Sequence, residues 1–183
     1  MYKVLKAFGE PGVVSVLKEL KQLHDRVFMD PKNSDEMTKC QKKLALQYLI
    51  FLKQKRCGKI KGRRCADGRI QRKYLIKYDT SAPTISMEVL FLMFLIDAME
   101  HREVATVDIP GEFIQADMEG ETVHIKMEGK MVDILTKLDI KLYCKYITTD
   151  NVRPVLYVDL KKSIYGTIQA ALLFWRNLTS SLQ

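Results

Sequence analysis

The chain is poor in the features that would impose a covalent or metal-bound framework. Its 183 residues hold only four cysteines, Cys40, Cys57, Cys65 and Cys144. None of them forms a C-x-x-C pair, and His24, His101 and His124 do not lie near them in sequence, so a zinc site is not expected. No signal peptide is legible. The thiols are therefore expected to be reduced and the compartment intracellular, cytoplasm or nucleus. Long apolar runs are also missing. The longest, Val89 to Ile96, is far too short to cross a bilayer, so no membrane partner is expected. Internal repeats and low-complexity tracts are absent, which excludes solenoids and biased linkers.

Acidic residues are scarce relative to basic ones. Thirty Lys and Arg stand against 22 Asp and Glu, a net charge of +8. That balance points to an acidic partner, most commonly nucleic acid, with a merely basic soluble protein as the alternative. The imbalance is concentrated between Lys53 and Lys77, where eleven Lys or Arg face a single acid, Asp67. Gly58, Gly62 and Gly68 punctuate this stretch. Such spacing suits a pair of twisted strands with tight turns rather than a helix. A basic hairpin of that kind grips phosphates, of a polynucleotide backbone or of a triphosphate. A solvated basic loop or a localisation signal would read the same way.

What is present supports one core. Hydrophobic residues make up 47% of the chain, enough for one domain with an appendage. Glu10-Pro11-Gly12 breaks the chain, and apolar residues at 14, 17, 20, 23 and 27 predict a helix over 13–28. Asp30-Pro31-Lys32-Asn33 predicts a turn. Ser34 then predicts the cap of a second helix running through Leu44, Leu46, Leu49 and Phe51. After a turn-rich link over 78–84, Ser86 caps a predicted helix over 87–99, apolar on most of its surface and expected to lie under a sheet. Strands are predicted over 104–108, 122–127 and 155–160, and helices over 130–137 and 164–182. Alternation in the second strand turns His124 outward.

The stretch Thr106 to Phe113 organises this order. An apolar run delivers the Asp108 carboxylate at its end, and Pro110-Gly111 and the bulky Phe113 follow. An Asp in that place is either a turn former or cap, or a metal ligand at a sheet edge.

Four motifs in order decide how that stretch is read. They are Lys61-Gly62-Arg63-Arg64-Cys65-Ala66-Asp67-Gly68, then Thr80-Ser81-Ala82-Pro83-Thr84, then Val107-Asp108-Ile109-Pro110-Gly111-Glu112-Phe113-Ile114-Gln115-Ala116-Asp117. The last is Leu160-Lys161-Lys162-Ser163-Ile164-Tyr165-Gly166-Thr167-Ile168-Gln169-Ala170, with Trp175 after it. Together they resemble the reverse transcriptase of copia-type LTR retrotransposons over roughly residues 55 to 183. The resemblance implies an α+β fold, a partial polymerase fingers and palm with an antiparallel sheet backed by helices, preceded by two helices. Residues 1–54 would form a helical amino-terminal region and 55–183 the fingers and partial palm.

The same resemblance implies a site. Asp108 would be the first catalytic Asp and, with the carbonyl of Ile109, a ligand to Mg2+ or Mn2+ in two-metal nucleotidyl transfer. Arg63 or Arg64 would contact the incoming deoxynucleotide triphosphate, Phe113 would lie under its sugar, and Gln169 would bind the nucleotide. Lys61, Tyr165 and Gly166 would line the RNA or DNA template-primer. Two departures stand out. Glu112 replaces a small residue, and no Asp-Asp pair occurs anywhere in the chain. Tyr157-Val158-Asp159 is not that pair, because it leads directly into Tyr165-Gly166. The expectation is therefore a reverse transcriptase fragment, inactive as this isolated chain, with a non-catalytic basic nucleic-acid-binding protein as the alternative. Exposed apolar surface is expected where the palm lacks its central hairpin.

Overall fold

The computed structural model describes residues 2–76, 80–150 and 152–183, with side chains from residue 7 onward. Lys77 of the basic stretch, Tyr78 and Asp79 of the link, and Asn151 of the predicted turn lie outside the described residues.

The first helix, α1 (Tyr2–Asp25), is kinked at Gly9, where φ is 56° and ψ is −145°. The break expected at 10–12 thus falls slightly earlier, and Pro11 sits in the first turn of the second segment, where its missing N–H costs nothing. Val16, Leu20 and Leu23 are fully buried. The helix ends where Val27 N–H donates to the His24 carbonyl and Phe28 N–H donates to the Leu23 carbonyl. This is the paired closure usually built on glycine, here with Val27 at φ 49°.

The next segment departs from prediction. Residues 29–32 form a strand, β1 (Met29–Lys32), rather than a turn. Pro31 is tolerated because β1 is an edge strand, paired only with β6 (Arg153–Leu160). The helix expected through Phe51 is also corrected. Thr38, not Ser34, caps a short helix, α2 (Lys39–Leu44), in a reciprocal box with Gln41. A strand, β2 (Leu46–Gln54), follows at once. Leu46, Tyr48 and Ile50 are buried while Phe51 is exposed, so burial follows the period of two of a strand, which overrides the helical reading.

β2 pairs antiparallel with β3 (Ile60–Ala66), from Tyr48 opposite Ala66 to Gln54 opposite Ile60. β2 also pairs in parallel with β4 (His124–Glu128), and β4 pairs antiparallel with β6. A short strand, β5 (Thr148–Asp150), extends the other side of β6. The sheet order is β1-β6-β4-β2-β3. The class is α+β as expected, but the sheet is mixed rather than antiparallel.

One face of the sheet, carrying Tyr48, Ile125, Met127, Leu156 and Val158, is covered by α1 and by α4 (Lys130–Leu138) through Met131, Val132 and Leu135. The division placed at residue 54 falls inside the β2–β3 hairpin, and residues on both sides of it share this core. The opposite face is mixed, with a small apolar cluster of Met37, Val155 and Tyr157 beside charged residues. There His124 Nδ1 lies 2.6 Å from Asp159 Oδ1.

Two further expectations fail. The helix α3 (Met87–Met99) does form, with Ser86 at its cap, but none of its residues is buried. It therefore does not lie under a sheet. Residues 104–108 form no strand and are exposed, with Val107 83% accessible. After a four-residue turn, α5 (Ile140–Tyr143), and β6, the last helix, α6 (Ala170–Leu182), starts six residues later than predicted. Residues before it are held in a loop by Gly166, at φ 96°. Among the described residues, no helix is long and apolar enough to cross a membrane.

Candidate nucleic-acid interface

The β2–β3 hairpin is the most strongly charged element. Lys55 N–H donates to the Lys59 carbonyl at 2.8 Å and Gly58 N–H to the Lys55 carbonyl at 2.9 Å. Gly58 at φ 77° completes the turn. A three-residue hairpin loop needs a left-handed residue there, which glycine supplies without strain.

The two faces of the hairpin differ. The inner face carries Gly62, Arg64 and Ala66 toward α1. A Cβ at Gly62 would lie 2.9 Å from Glu19 Cγ, so the glycine is what lets α1 approach. Arg64 Nη1 donates to Glu19 Oε2 and to Gln22 Oε1, both at 2.9 Å. Burial lowers the Arg64 pKa from its ordinary value, and the Glu19 carboxylate opposes that. Arg64 is thus a tether between hairpin and helix, with its guanidinium occupied.

The outer face carries Lys53, Phe51, Lys61 and Arg63, all exposed. In the register Lys53 stands opposite Lys61 and Phe51 opposite Arg63. Phe51 is 57% accessible. Lys55, Arg56 and Lys59 continue the charge around the turn. Among the described residues, no carboxylate pairs with any of these cations, whereas Arg69 farther on is bound by Asp67 at 2.6 Å. Like charges directly opposite on a ladder are destabilising, so the Lys53–Lys61 pair gains from an external anion. Lys53 is the first cation of the predicted basic hairpin, whereas Phe51 falls in the segment predicted as helix. Local periodicity gives no signal for Phe51, because Leu49 and Phe51 are as apolar as Leu46, Tyr48 and Ile50, and the pairing of β2 with β3 is what places it outside.

At its base the hairpin meets the loop before α6. Ala66 N–H donates to the Tyr165 carbonyl at 2.8 Å, and Asp67 N–H to the Gln47 carbonyl at 2.9 Å. A Cβ at Gly166 would lie 2.1 Å from the Ala66 oxygen and 2.5 Å from Cys65 Sγ. A Cβ at Gly68 would lie 2.1 Å from the Gly166 oxygen. Both glycines are therefore required by close backbone approach. Burial pushes the Cys65 thiol pKa up, so this cysteine is not an activated nucleophile. Phe113 joins the same region, with its ring centroid 5.8 Å from Tyr165 and 6.2 Å from Phe174. The buried Ser163 hydroxyl donates to the Phe113 carbonyl and fixes the turn that carries this ring.

The structure thus gathers Phe113, Tyr165 and Gly166 against the base of the strand that bears Lys61 and Arg63. Gln169 lies beside them on a separate cleft of about 430 Å³, also lined by Gln71, Tyr74, Val123 and Leu172. There Gln71 is fully buried, and its Oε1 accepts from Ile168 N–H at 3.0 Å. Asp108 is not gathered in. It sits exposed in the irregular stretch before Phe113, and among the described residues nothing hydrogen-bonds or ion-pairs with it. Ile109 is half-buried. The described residues contain no group of three or more His, Cys, Asp or Glu placed to hold a metal ion. A single exposed carboxylate does not fit a pair of divalent cations, whose combined charge needs several anionic ligands. Comparison of the chain with protein-family models, with curated proteins and with solved structures finds no match.

Proposed function

We propose that this chain is the fingers and partial palm of a copia-type reverse transcriptase, and that as it stands it binds nucleic acid without polymerising it. The reading is carried by the outer face of the hairpin, where exposed Phe51 is set among Lys53, Lys61 and Arg63, and among the described residues no carboxylate pairs with these cations. Cations that track a phosphate backbone, with an aromatic on which a base can stack, are what single-strand binding requires. The four ordered motifs supply the lineage. Template-primer and deoxynucleotide triphosphates would be the ligands of the full enzyme. Its Mg2+ or Mn2+ would sit on Asp108 only when other carboxylates complete the site.

Binding is tested by fluorescence anisotropy with labelled single-stranded DNA and RNA of mixed sequence. If the six cations Lys53, Lys55, Arg56, Lys59, Lys61 and Arg63 all engage phosphates, affinity falls with log salt with a slope of roughly −4. Arg63→Ala should reduce that slope by about 0.7 and weaken all sequences alike. Phe51→Ala should cost about 1–3 kcal/mol of binding with the slope unchanged. Affinity that ignores both salt and the Phe51→Ala, Arg63→Ala double variant would refute the binding reading. Primer extension with Mg2+ or Mn2+ addresses catalysis. Incorporation by the natural chain that is lost in Asp108→Ala would show that the chain polymerises after all.

A further inference from the structure

Gln71 is fully buried, yet only one end of its side-chain amide is used. Oε1 accepts from Ile168 N–H at 3.0 Å. That bond sets the amide orientation and turns Nε2 the other way, since a backbone N–H can only meet the oxygen. The Gln71 carbonyl accepts from the N–H groups of Tyr74 and Leu75, so the residue is held by its backbone as well. Among the described residues Nε2 has no hydrogen-bond partner. A buried donor left unmade is costly, and at the wall of a cleft it marks where a ligand acceptor is gained. Gln71 lines the cleft of about 430 Å³, a volume within the range of small-molecule sites. Buried Val123 and Leu172 give that cleft apolar walls. Tyr74 also lines it and is 43% accessible. Burial raises the Tyr74 phenol pKa, the Gln71 amide opposes that rise and the Glu121 carboxylate adds to it. Amide, phenol and carboxylate are therefore neighbours in the cleft.

The charges at the mouth restrict the ligand. Glu119 is neutralised by Arg176 Nη1 at 2.9 Å, whereas among the described residues no cation pairs with Glu121. A phosphate or carboxylate in the cleft would meet that unpaired charge. A simple amine would leave Gln71 Nε2 without an acceptor. The ligand that serves both is flat and neutral, with a carbonyl oxygen for Gln71 and adjacent N–H donors for Glu121. We propose that this cleft binds a guanine base, with O6 accepting from Gln71 Nε2 and the N1–H and N2–H groups donating to the Glu121 carboxylate. Val123 and Leu172 cover its ring. Nε2 is out of reach of solvent, so the Tyr74 ring turns aside as the base enters. Adenine and cytosine put an amino group where Gln71 needs an acceptor, and uracil and thymine put a second carbonyl where Glu121 needs a donor. Here side chains read the base, whereas a polymerase leaves that to template pairing. An uncharged nucleoside needs no cation, so this binding ignores salt and persists even if the hairpin holds no nucleic acid.

Equilibrium dialysis of the full chain against radiolabelled guanosine tests this, with inosine, adenosine, cytidine and uridine as competitors. Guanosine should bind with a Kd on the order of 10–100 µM, as ordinary ligand efficiency allows, and the value should not move with salt. Inosine lacks the 2-amino group and should compete about tenfold less well, the other three about a hundredfold less well. Glu121 is exposed, so Glu121→Gln leaves the fold intact. It should weaken guanosine by about 10–100-fold and erase its advantage over inosine. Gln71→Glu keeps the acceptor for Ile168 N–H but removes the donor, and should abolish binding too; if it unfolds, Glu121→Gln decides. Failure to retain guanosine at millimolar concentration, equal competition by all four nucleosides, or unchanged binding in Glu121→Gln overturns the proposal. A further arm names the source of the base. An oligothymidine with one guanine that outcompetes plain oligothymidine about tenfold, and loses that advantage in Glu121→Gln, places the base in a strand. Equal affinity of the two strands, with guanosine bound, makes the free nucleoside the ligand.

Discussion

Alanine at Gly166 should be among the most damaging single changes in the chain, and the structure lets its cost be divided. Gly166 has φ 96°, and a Cβ there would meet the Ala66 oxygen at 2.1 Å and Cys65 Sγ at 2.5 Å. Gly58 has φ 77° with nothing within 4 Å of its Cβ position. Gly68 has no left-handed φ, but its Cβ would lie 2.1 Å from the Gly166 oxygen. Gly58→Ala therefore measures backbone strain alone, at about 1 kcal/mol. Gly68→Ala measures the clash alone, at about 2 kcal/mol, since backbone rather than a flexible side chain must yield. Gly166→Ala suffers both and also loses the Ala66 N–H to Tyr165 carbonyl bond, worth about 1 kcal/mol. We expect a loss of about 4 kcal/mol, a large share of the roughly 5–15 kcal/mol that holds a domain folded. Urea unfolding at constant m-value reads all three. The Gly68→Ala, Gly166→Ala double variant should cost less than the two singles added, because one backbone separation admits both methyl groups. If Gly166→Ala costs no more than Gly58→Ala, the loop does not touch the hairpin as described, and the gathering of Tyr165 and Phe113 beside β3 is wrong.

Other outcomes follow from single residues. Val27→Gly should stabilise the chain by about 1 kcal/mol, because valine holds φ 49° at a helix end and is 68% exposed, so little burial is lost. Thermal melting should rise by about 2–4 °C. Tyr48→Phe should be neutral or stabilising by about 1 kcal/mol in chemical denaturation, since among the described residues its buried hydroxyl has no hydrogen-bond partner. Stability should fall in alkali. Burial pushes the Tyr143 phenol up to about 12 and raises that of Tyr48 as well. The unfolded chain therefore loses these protons first, above about pH 10. Stability is then full below pH 10 and declines toward pH 12. Tyr143→Phe should flatten that decline in pH-dependent unfolding, and an unchanged slope would remove Tyr143 as its source.

Much of this protein was legible before any coordinates. The α+β class was implied by the resemblance, and the helices around Val16–Leu23, over 87–99 and over 130–137 and the strands near 124–128 and 155–160 follow from local patterning, which needs only neighbouring residues. The basic hairpin followed from charge and glycine spacing. Which cation faces solvent did not, because strand alternation sends Arg63 outward and Arg64 to Glu19 only once the register and the position of α1 are set. Phe51 was hidden for a related reason. A short apolar run after a capped turn fits either period, and pairing with β3 and β4 decides between them. Pro31 read as a turn because its lack of an N–H matters only in a strand with neighbours on both sides, and β1 has one. Sequence alone determined which residues are apolar and which are charged, while the need for glycine at 62, 68 and 166 came from contacts between elements far apart in the chain. The tertiary structure alone decided which of them meet. It left α3 and Asp108 outside the core, because burial depends on what a surface packs against and not on how apolar the surface is.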